Sequence, residues 1–253
     1  MAATAEGSPL EQFVIERLVP LHIGRYDISY TNSALLMTIA VVLITLLLVG
    51  GTRRAALVPG RLQSAAELAY EFVANMVREN VGSEGIEFFP LIFSIFMFVL
   101  FGNMLGLIPY SFTFTSHIIV TFALAALVIT TVIVYGFYKN GAHFLKLFVP
   151  SGVPVWLLPL LVVIEVISFV SRPISLSVRL FANMLAGHIA LKIFASFIIA
   201  LVGAGLFTAI LSPLPLLLVI ALVALETLVA VLQAYVFATL TCIYLNDALH
   251  PGH

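Results

Sequence analysis

Long apolar runs separated by short polar stretches dominate this chain and predict a series of membrane helices. The first run covers residues 34–51, and two more within residues 88–137 form a helical hairpin. An α-helix needs about 20 apolar residues to cross a hydrocarbon core about 30 Å thick, and each run approaches that length. Residues 1–33, which are mixed and polar, are predicted to lie outside the bilayer core.

Residues 61–80 follow a different pattern, in which apolar and polar positions alternate with a helical period. Such a pattern predicts an amphipathic helix that lies at the membrane surface or against other helices, without spanning. The predicted apolar face carries Leu62, Ala65, Ala69, Phe72 and Met76, and the opposite face carries Gln63, Glu67, Glu71, Asn75 and Arg78.

Residues 151–248 contain two longer apolar arms. The first arm, from Val153 to about Leu201, would extend ~70 Å as one helix at 1.5 Å per residue. That length exceeds the hydrocarbon core, and no polar loop divides the arm. We therefore expect one steeply tilted helix, kinked at Pro173. A turn rich in glycine and proline follows, and the second arm runs to about Leu245.

These elements predict an all-α integral membrane protein with about five membrane helices. Two of the five are long, steeply tilted helices that form a C-terminal hairpin, and the amphipathic helix lies on the cytoplasmic side. Lys and Arg occur in the connections 52–64 and 138–147 but not in 109–117. By the positive-inside rule, the N-terminus is predicted outside and the C-terminus in the cytoplasm.

Composition supports this class: of 253 residues, 62% are hydrophobic and 9% are charged. A net charge of −1 provides no basic surface for nucleic acid. The single cysteine, Cys242, excludes an internal disulfide and a multi-cysteine metal cluster, and we interpret it as a packing residue. We expect no cofactor. No glycine-rich phosphate loop of the GxxxxGK type occurs, so any ATP chemistry is expected to take place elsewhere.

Arg179 is the residue that points most directly to function, because it lies deep inside the first long arm. An arginine at the bilayer centre costs about 3 kcal/mol on insertion scales, and it cannot lose its proton to avoid that cost. Such a charge usually faces a partner helix or a wet cavity and marks an ion path. The sequence therefore favours a protein that moves ions.

Other polar residues share helical faces with this arginine or with each other. Seven residues return to nearly the same face of a helix, so Glu165, Arg172 and Arg179 form a stripe that Ser175 and Asn183 join. His188 and Lys192 lie on the opposite side. In the second arm, Glu226, Gln233 and Tyr244 share a face.

Structural alternatives exist for several of these residues. Glu165 and Arg172 would also fit a buried ion pair, Lys192 would reach an interface, and Tyr244 would anchor a helix end. His117 and His143 are interpreted as solvated residues of connections. His188 and Glu226 lack a local acid–base partner in apolar sequence, and both residue types exchange protons near neutral pH once buried.

Three motifs resemble those of a known family, subunit a of the bacterial F-type ATP synthase. The most specific is the segment from Ser175 through Arg179 and Asn183 to His188. The segment Phe101–Tyr110, which reads FGNMLGLIPY, resembles the second motif, and the segments 232–237 and 240–245 resemble the C-terminal motif.

The resemblance implies roles for the residues at matching positions. It implies that Arg179 faces a ring of c subunits and that Glu165 belongs to a cytoplasmic path. Asn183, His188, Glu226 and Gln233 would belong to a path from the outer side. Some members carry the acid and the histidine in exchanged positions, which favours contact between His188 and Glu226. Gly106 replaces an acid that the family carries, so no role transfers to it.

The resulting hypothesis is a non-catalytic, proton-translocating stator subunit with two offset half-channels, which Arg179 separates. Its partners would be the c-ring, b-type peripheral stalk subunits, the rest of the complex and membrane lipid. It would lie in the bacterial inner membrane as a multi-pass protein. The alternatives are a self-contained secondary transporter, for which no inverted repeat is found, and a membrane-embedded enzyme, for which no catalytic grouping is found.

Overall fold

The structure is a computed structural model that describes most of the chain. The described residues are 13–20, 22–23, 26–27, 29–53, 56–108, 111–149, 156–205 and 210–249. Part of the N-terminal segment, Pro109 and Tyr110 of the second motif, and the predicted start of the first long arm at Val153 lie outside these residues.

Six α-helices make up most of the described chain. They are α1 (Asn32–Thr52), α2 (Arg61–Val81), α3 (Phe89–Gly106), α4 (Ile118–Asn140), α5 (Leu158–Gly203) and α6 (Pro213–Leu249). Short 3-10 turns occupy Ser83–Phe88, Phe114–Ser116 and Gly141–Phe148. Among the described residues, five helices are long and apolar enough to cross a membrane, whereas α2 is not one of them. The predicted all-α membrane class is confirmed.

The two long arms are continuous helices. Helix α5 has 46 residues and runs through Pro173, so it is about 69 Å long. Helix α6 has 37 residues and is about 55 Å long. Both exceed the ~30 Å of a hydrocarbon core, as expected for helices that do not cross it upright.

Helix α2 buries a face that coincides only in part with the apolar face that its pattern predicts. Its buried side chains include Gln63, Val73 and Met76, of which Met76 belongs to the predicted apolar face, whereas Leu62 and Phe72 are exposed. Gln63 is buried because its amide closes the preceding turn. It donates to the carbonyl of Ala56 and accepts from the Ala56 amide nitrogen, at 3.0 and 3.1 Å. These hydrogen bonds allow Gln63 to be buried although the pattern puts it on the polar face of the helix.

The N-terminal segment contains short strands that its mixed composition did not predict. Strand β1 (Arg17–Val19) pairs with β4 (Tyr30–Thr31), and β2 (His22–Ile23) pairs with β3 (Tyr26–Asp27), both antiparallel. The Asn32 side chain holds this segment at the start of α1. Its amide donates to the Val14 carbonyl and accepts from the Glu16 nitrogen.

The chain divides into two compact units. The first unit contains Met1–Val42, Val99–His117 and Leu180–Gln233. The second unit contains Leu43–Phe98, Ile118–Arg179 and Ala234–His253. In the first unit, the Asn103 amide of α3 donates to the Ala230 carbonyl of α6 at 3.1 Å, which joins these two helices beside the candidate site.

Candidate functional site

His188 and Glu226 meet inside the first unit. Helix α5 carries the histidine and α6 carries the glutamate, and His188 Nδ1 lies 3.5 Å from Glu226 Oε1. Both residues are buried, with 9% and 5% of their surface exposed. The distance is slightly longer than a hydrogen bond, and a small rotation of either side chain would close it. The contact that the sequence favoured is present.

The Glu226 carboxyl group has spare hydrogen-bonding capacity. Neither of its buried oxygens has a hydrogen-bond partner among the described residues. Gly187 makes room for this group, because a Cβ at position 187 would lie 2.6 Å from Glu226 Oε1. A buried carboxyl group without fixed partners is well suited to taking up and releasing a proton.

Two further residues reach His188, and the sequence did not single out either of them. Thr113, in the connection between α3 and α4, has its Oγ1 2.9 Å from His188 Nε2. The Phe13 ring of the N-terminal segment meets the imidazole edge-on, with ring centroids 6.3 Å apart. The signal for Thr113 was the run of hydroxyl residues between Ser111 and Ser116 that directly follows an apolar helix.

Arg179 lies on an exposed face of α5. Ser175 and Asn183, one turn to either side, are exposed as well, so the three side chains share one outward-facing stripe. Arg179 forms no hydrogen bond or ion pair with any residue that the structure describes. A permanent cation on an apolar helix needs an anionic or wet partner, and this exposed one has no anionic partner among the described residues.

Arg172 is not paired with Glu165, so that structural alternative was wrong. Its Nη1 donates instead to Asp247 Oδ2 of α6 at 2.8 Å. Its guanidinium also lies 4.9 Å from the centre of the Tyr244 ring. All three residues belong to the second unit. Asp247 is 75 residues away in sequence, which explains why spacing along one helix missed it.

The remaining candidates are less enclosed. Glu165 and Gln233 are half-buried, and neither is among the residues described above as contacting His188. His143 is exposed, as expected. His117 is not simply solvated: its ring stacks on Phe112 at 4.9 Å, and its buried Nε2 has no partner among the described residues. Burial lowers the pKa of His117 from its usual value.

Cys242 is fully buried, in agreement with a packing role. In the described ranges, no group of three His, Cys, Asp or Glu side chains is arranged to hold a metal ion. The imidazole, carboxyl and guanidinium groups of the site are suited to proton exchange and charge attraction.

Comparisons with known proteins agree with the three motifs. The family model described as "ATP synthase A chain" matches residues 34–246. A protein named ATP synthase subunit a from Mesorhizobium japonicum is 64% identical over 245 residues, which cover 97% of each chain. A protein of the same name from Methylobacterium sp. is 64% identical over 97% of this chain and 98% of its own length. Another from Beijerinckia indica is 57% identical over the full length of both chains.

Proposed function

This chain belongs to the ATP synthase A chain family, and on that premise we propose that it forms the stationary proton path beside a rotating c-ring. It is a proton-translocating, multi-pass membrane subunit of an F-type ATP synthase of the bacterial type. In the proposal the subunit itself performs no ATP chemistry, which occurs elsewhere in the complex.

The observation that carries the proposal is the outward-facing charge of Arg179. An ionised rotor carboxylate is the partner that best compensates a permanent cation on an apolar helix. The same cation repels protons and so blocks direct leakage between two half-channels. A self-contained transporter would instead need this charge to face its own interior.

The outer half-channel is proposed to use the buried pair His188 and Glu226, because each can hold or release a proton near neutral pH. Asn183 and Gln233 would line the same path. A proton that enters here neutralises a rotor carboxylate, travels with the ring and leaves past Glu165. Ser175 would extend the exposed stripe towards the rotor. Tyr244, whose ring lies beside the Arg172 guanidinium, is proposed to take part in proton translocation as well.

The proposed partners are the c-ring, b-type peripheral stalk subunits, the rest of the complex and membrane lipid. The proposed location is the bacterial inner membrane, with the N-terminus outside and the C-terminus cytoplasmic. A cysteine at Ser111, in the connection between α3 and α4, and a cysteine in the connection 56–60 test this orientation when they are introduced singly. An impermeant thiol reagent should label the first from outside and the second from the cytoplasm, and the reverse pattern would overturn the orientation.

Replacement of Arg179 tests the function. Arg179→Ala should abolish ATP-driven proton pumping in membrane vesicles while the complex still assembles, and passive leak should increase. Arg179→Lys should also be severely impaired, because a lysine loses its proton on burial and lacks the planar guanidinium. Arg78→Ala is the matched control, since Arg78 is an exposed arginine of α2. Normal coupled pumping by Arg179→Ala would disprove the mechanism.

A further inference from the structure

Thr113 is almost completely buried in the connection between α3 and α4, with 2% of its surface exposed. Its side chain lies between two polar partners of the first unit. Oγ1 is 2.9 Å from His188 Nε2 and 3.4 Å from the carbonyl oxygen of Gly106. A buried hydroxyl has one proton to donate, so these two acceptors compete for it.

The direction of the hydroxyl proton is linked to the tautomer of His188. When the ring proton is on Nδ1, Thr113 donates to Nε2, and Nδ1–H points towards Glu226 Oε1. When the proton is on Nε2, the ring donates to Thr113, and Thr113 donates to the Gly106 carbonyl. Nδ1 is then free to accept a proton from the Glu226 carboxyl group. The hydroxyl can therefore satisfy both states of the imidazole.

Two glycines permit this arrangement. A Cβ at position 106 would lie 2.6 Å from Thr113 Cγ2 and 2.7 Å from its Oγ1, closer than side chains approach. At the other end, Gly187 gives the same room to Glu226. Position 106, to which the family resemblance assigned no role, therefore makes space for the threonine side chain.

We propose that Thr113 is a positioning residue of the outer proton path, which holds the His188 ring so that Nδ1 exchanges a proton with Glu226. This inference rests on the proposed function. The groups that face or adjoin His188 are Glu226 from α6, the Lys192 charge one turn along α5, and the non-titrating side chains of Thr113 and Phe13. No other described contact fixes the plane of the ring.

The test compares Thr113→Val, which keeps the shape and removes the hydroxyl, with Thr113→Ser, which keeps the hydroxyl. ATP-driven proton pumping and ATP synthesis are measured in membrane vesicles that contain the whole complex, over a series of pH values on the proton-entry side. Thr113→Val should be slowed about tenfold and its pH profile should move, because His188 Nε2 loses its buried partner. Thr113→Ser should retain at least about half of the rate.

Thr241→Val is the matched control, since Thr241 is a buried threonine whose hydroxyl donates only within its own helix, to the Phe237 carbonyl. It should pump at nearly the normal rate. Normal pumping by Thr113→Val, with an unchanged pH profile, would overturn the proposal. Equal losses in Thr113→Val and Thr113→Ser would also overturn it, because volume and not the hydroxyl would then matter.

Thr113→Ala provides a second variant without the hydroxyl if the valine variant does not assemble. Failure of both to assemble, while Thr113→Ser assembles, would mean that the hydroxyl serves folding, and the proposal would fail. Arg179→Ala in the same vesicles separates the two hypotheses. If Arg179→Ala is inactive while Thr113→Val is normal, only the role of Thr113 is wrong. If both pump normally, the proposed function itself is wrong.

Discussion

The two units of this chain contain different kinds of polar contact. In the second unit, two ion pairs join oppositely charged side chains: the half-buried Arg172 binds Asp247 at 2.8 Å, and the exposed Lys139 binds Glu84, whereas Arg179 at the edge of this unit forms no ion pair with the described residues. In the first unit, the central polar residues are a hydroxyl, an imidazole and a carboxyl group, and none of these is charged in every state. Thr113, His188 and Glu226 form a chain of contacts at 2.9 and 3.5 Å.

Buried polar atoms without a hydrogen-bond partner are also distributed unequally between the two units. Within the described residues, every buried side-chain oxygen or nitrogen without a hydrogen-bond partner belongs to the first unit. These atoms are Asn103 Oδ1, Thr115 Oγ1, His117 Nε2 and both carboxyl oxygens of Glu226. Such atoms destabilise a fold unless water or a mobile proton satisfies them. Paired fixed charges suit a structural role, whereas exchangeable groups with spare capacity suit a path for protons.

Within this comparison of the two units, the largest expected effect comes from His188 and Glu226. Each single replacement, His188→Glu or Glu226→His, should slow proton pumping by about a hundredfold, since positioned acid–base groups contribute at least that much. The double variant should recover part of the rate, because it again holds one acid and one imidazole within reach. The measurement is pumping in vesicles at matched assembly levels. Losses that simply add, with no recovery in the double variant, would show that the two residues act independently.

The ion pair of the second unit should behave differently. Arg172→Leu or Asp247→Leu leaves a partly buried charge alone and should destabilise the assembled subunit by about 2–4 kcal/mol. The double variant, Arg172→Leu with Asp247→Leu, should restore most of the stability, because no lone charge remains. Thermal inactivation of the purified complex measures the loss.

Pumping per assembled complex should change little in these Arg172 and Asp247 variants. This result would separate a structural pair from a path for protons. If the double variant assembles normally but does not pump, the contrast between the two units is wrong.

The sequence predicted features that depend on one helix at a time. The uninterrupted apolar run predicted the length of α5 and the apolar setting of Arg179. Helical periodicity predicted that Arg179 shares a face with Ser175 and Asn183. The contact between His188 and Glu226 was favoured only because the family resemblance showed the two residue types exchanged.

Features that depend on how helices pack were missed. Arg172 binds Asp247, which lies on α6. Which residues of two helices meet depends on how the helices pack, and the spacing of residues along one helix does not show this. Gln63, which the pattern put on the polar face of α2, is buried because it binds the backbone of the preceding turn. Thr113 was missed because its role depends on a connection that folds back onto α5.

The smallest expected effect concerns the space beside Glu226. Gly187→Ala would place a Cβ 2.6 Å from Glu226 Oε1 and 3.0 Å from Cδ. The obstructing atoms are the far end of a flexible side chain, so we expect the carboxyl group to move aside while the helices stay packed. The overlap should cost about 1–3 kcal/mol at most. Assembly should therefore be retained, whereas proton entry should slow by roughly three- to tenfold, because Glu226 moves away from His188.

Gly203→Ala is the matched control for this change. Gly203 lies in the same helix, and a Cβ there would meet nothing within 4 Å. That variant should pump normally, because a Cβ at this last residue of α5 meets no neighbouring atom. Pumping rates of both variants in vesicles, corrected for the amount of assembled complex, provide the comparison. If Gly187→Ala pumps as fast as Gly203→Ala, the position of the Glu226 carboxyl group does not control proton entry. The proposed outer proton path in the first unit would then lose its strongest support.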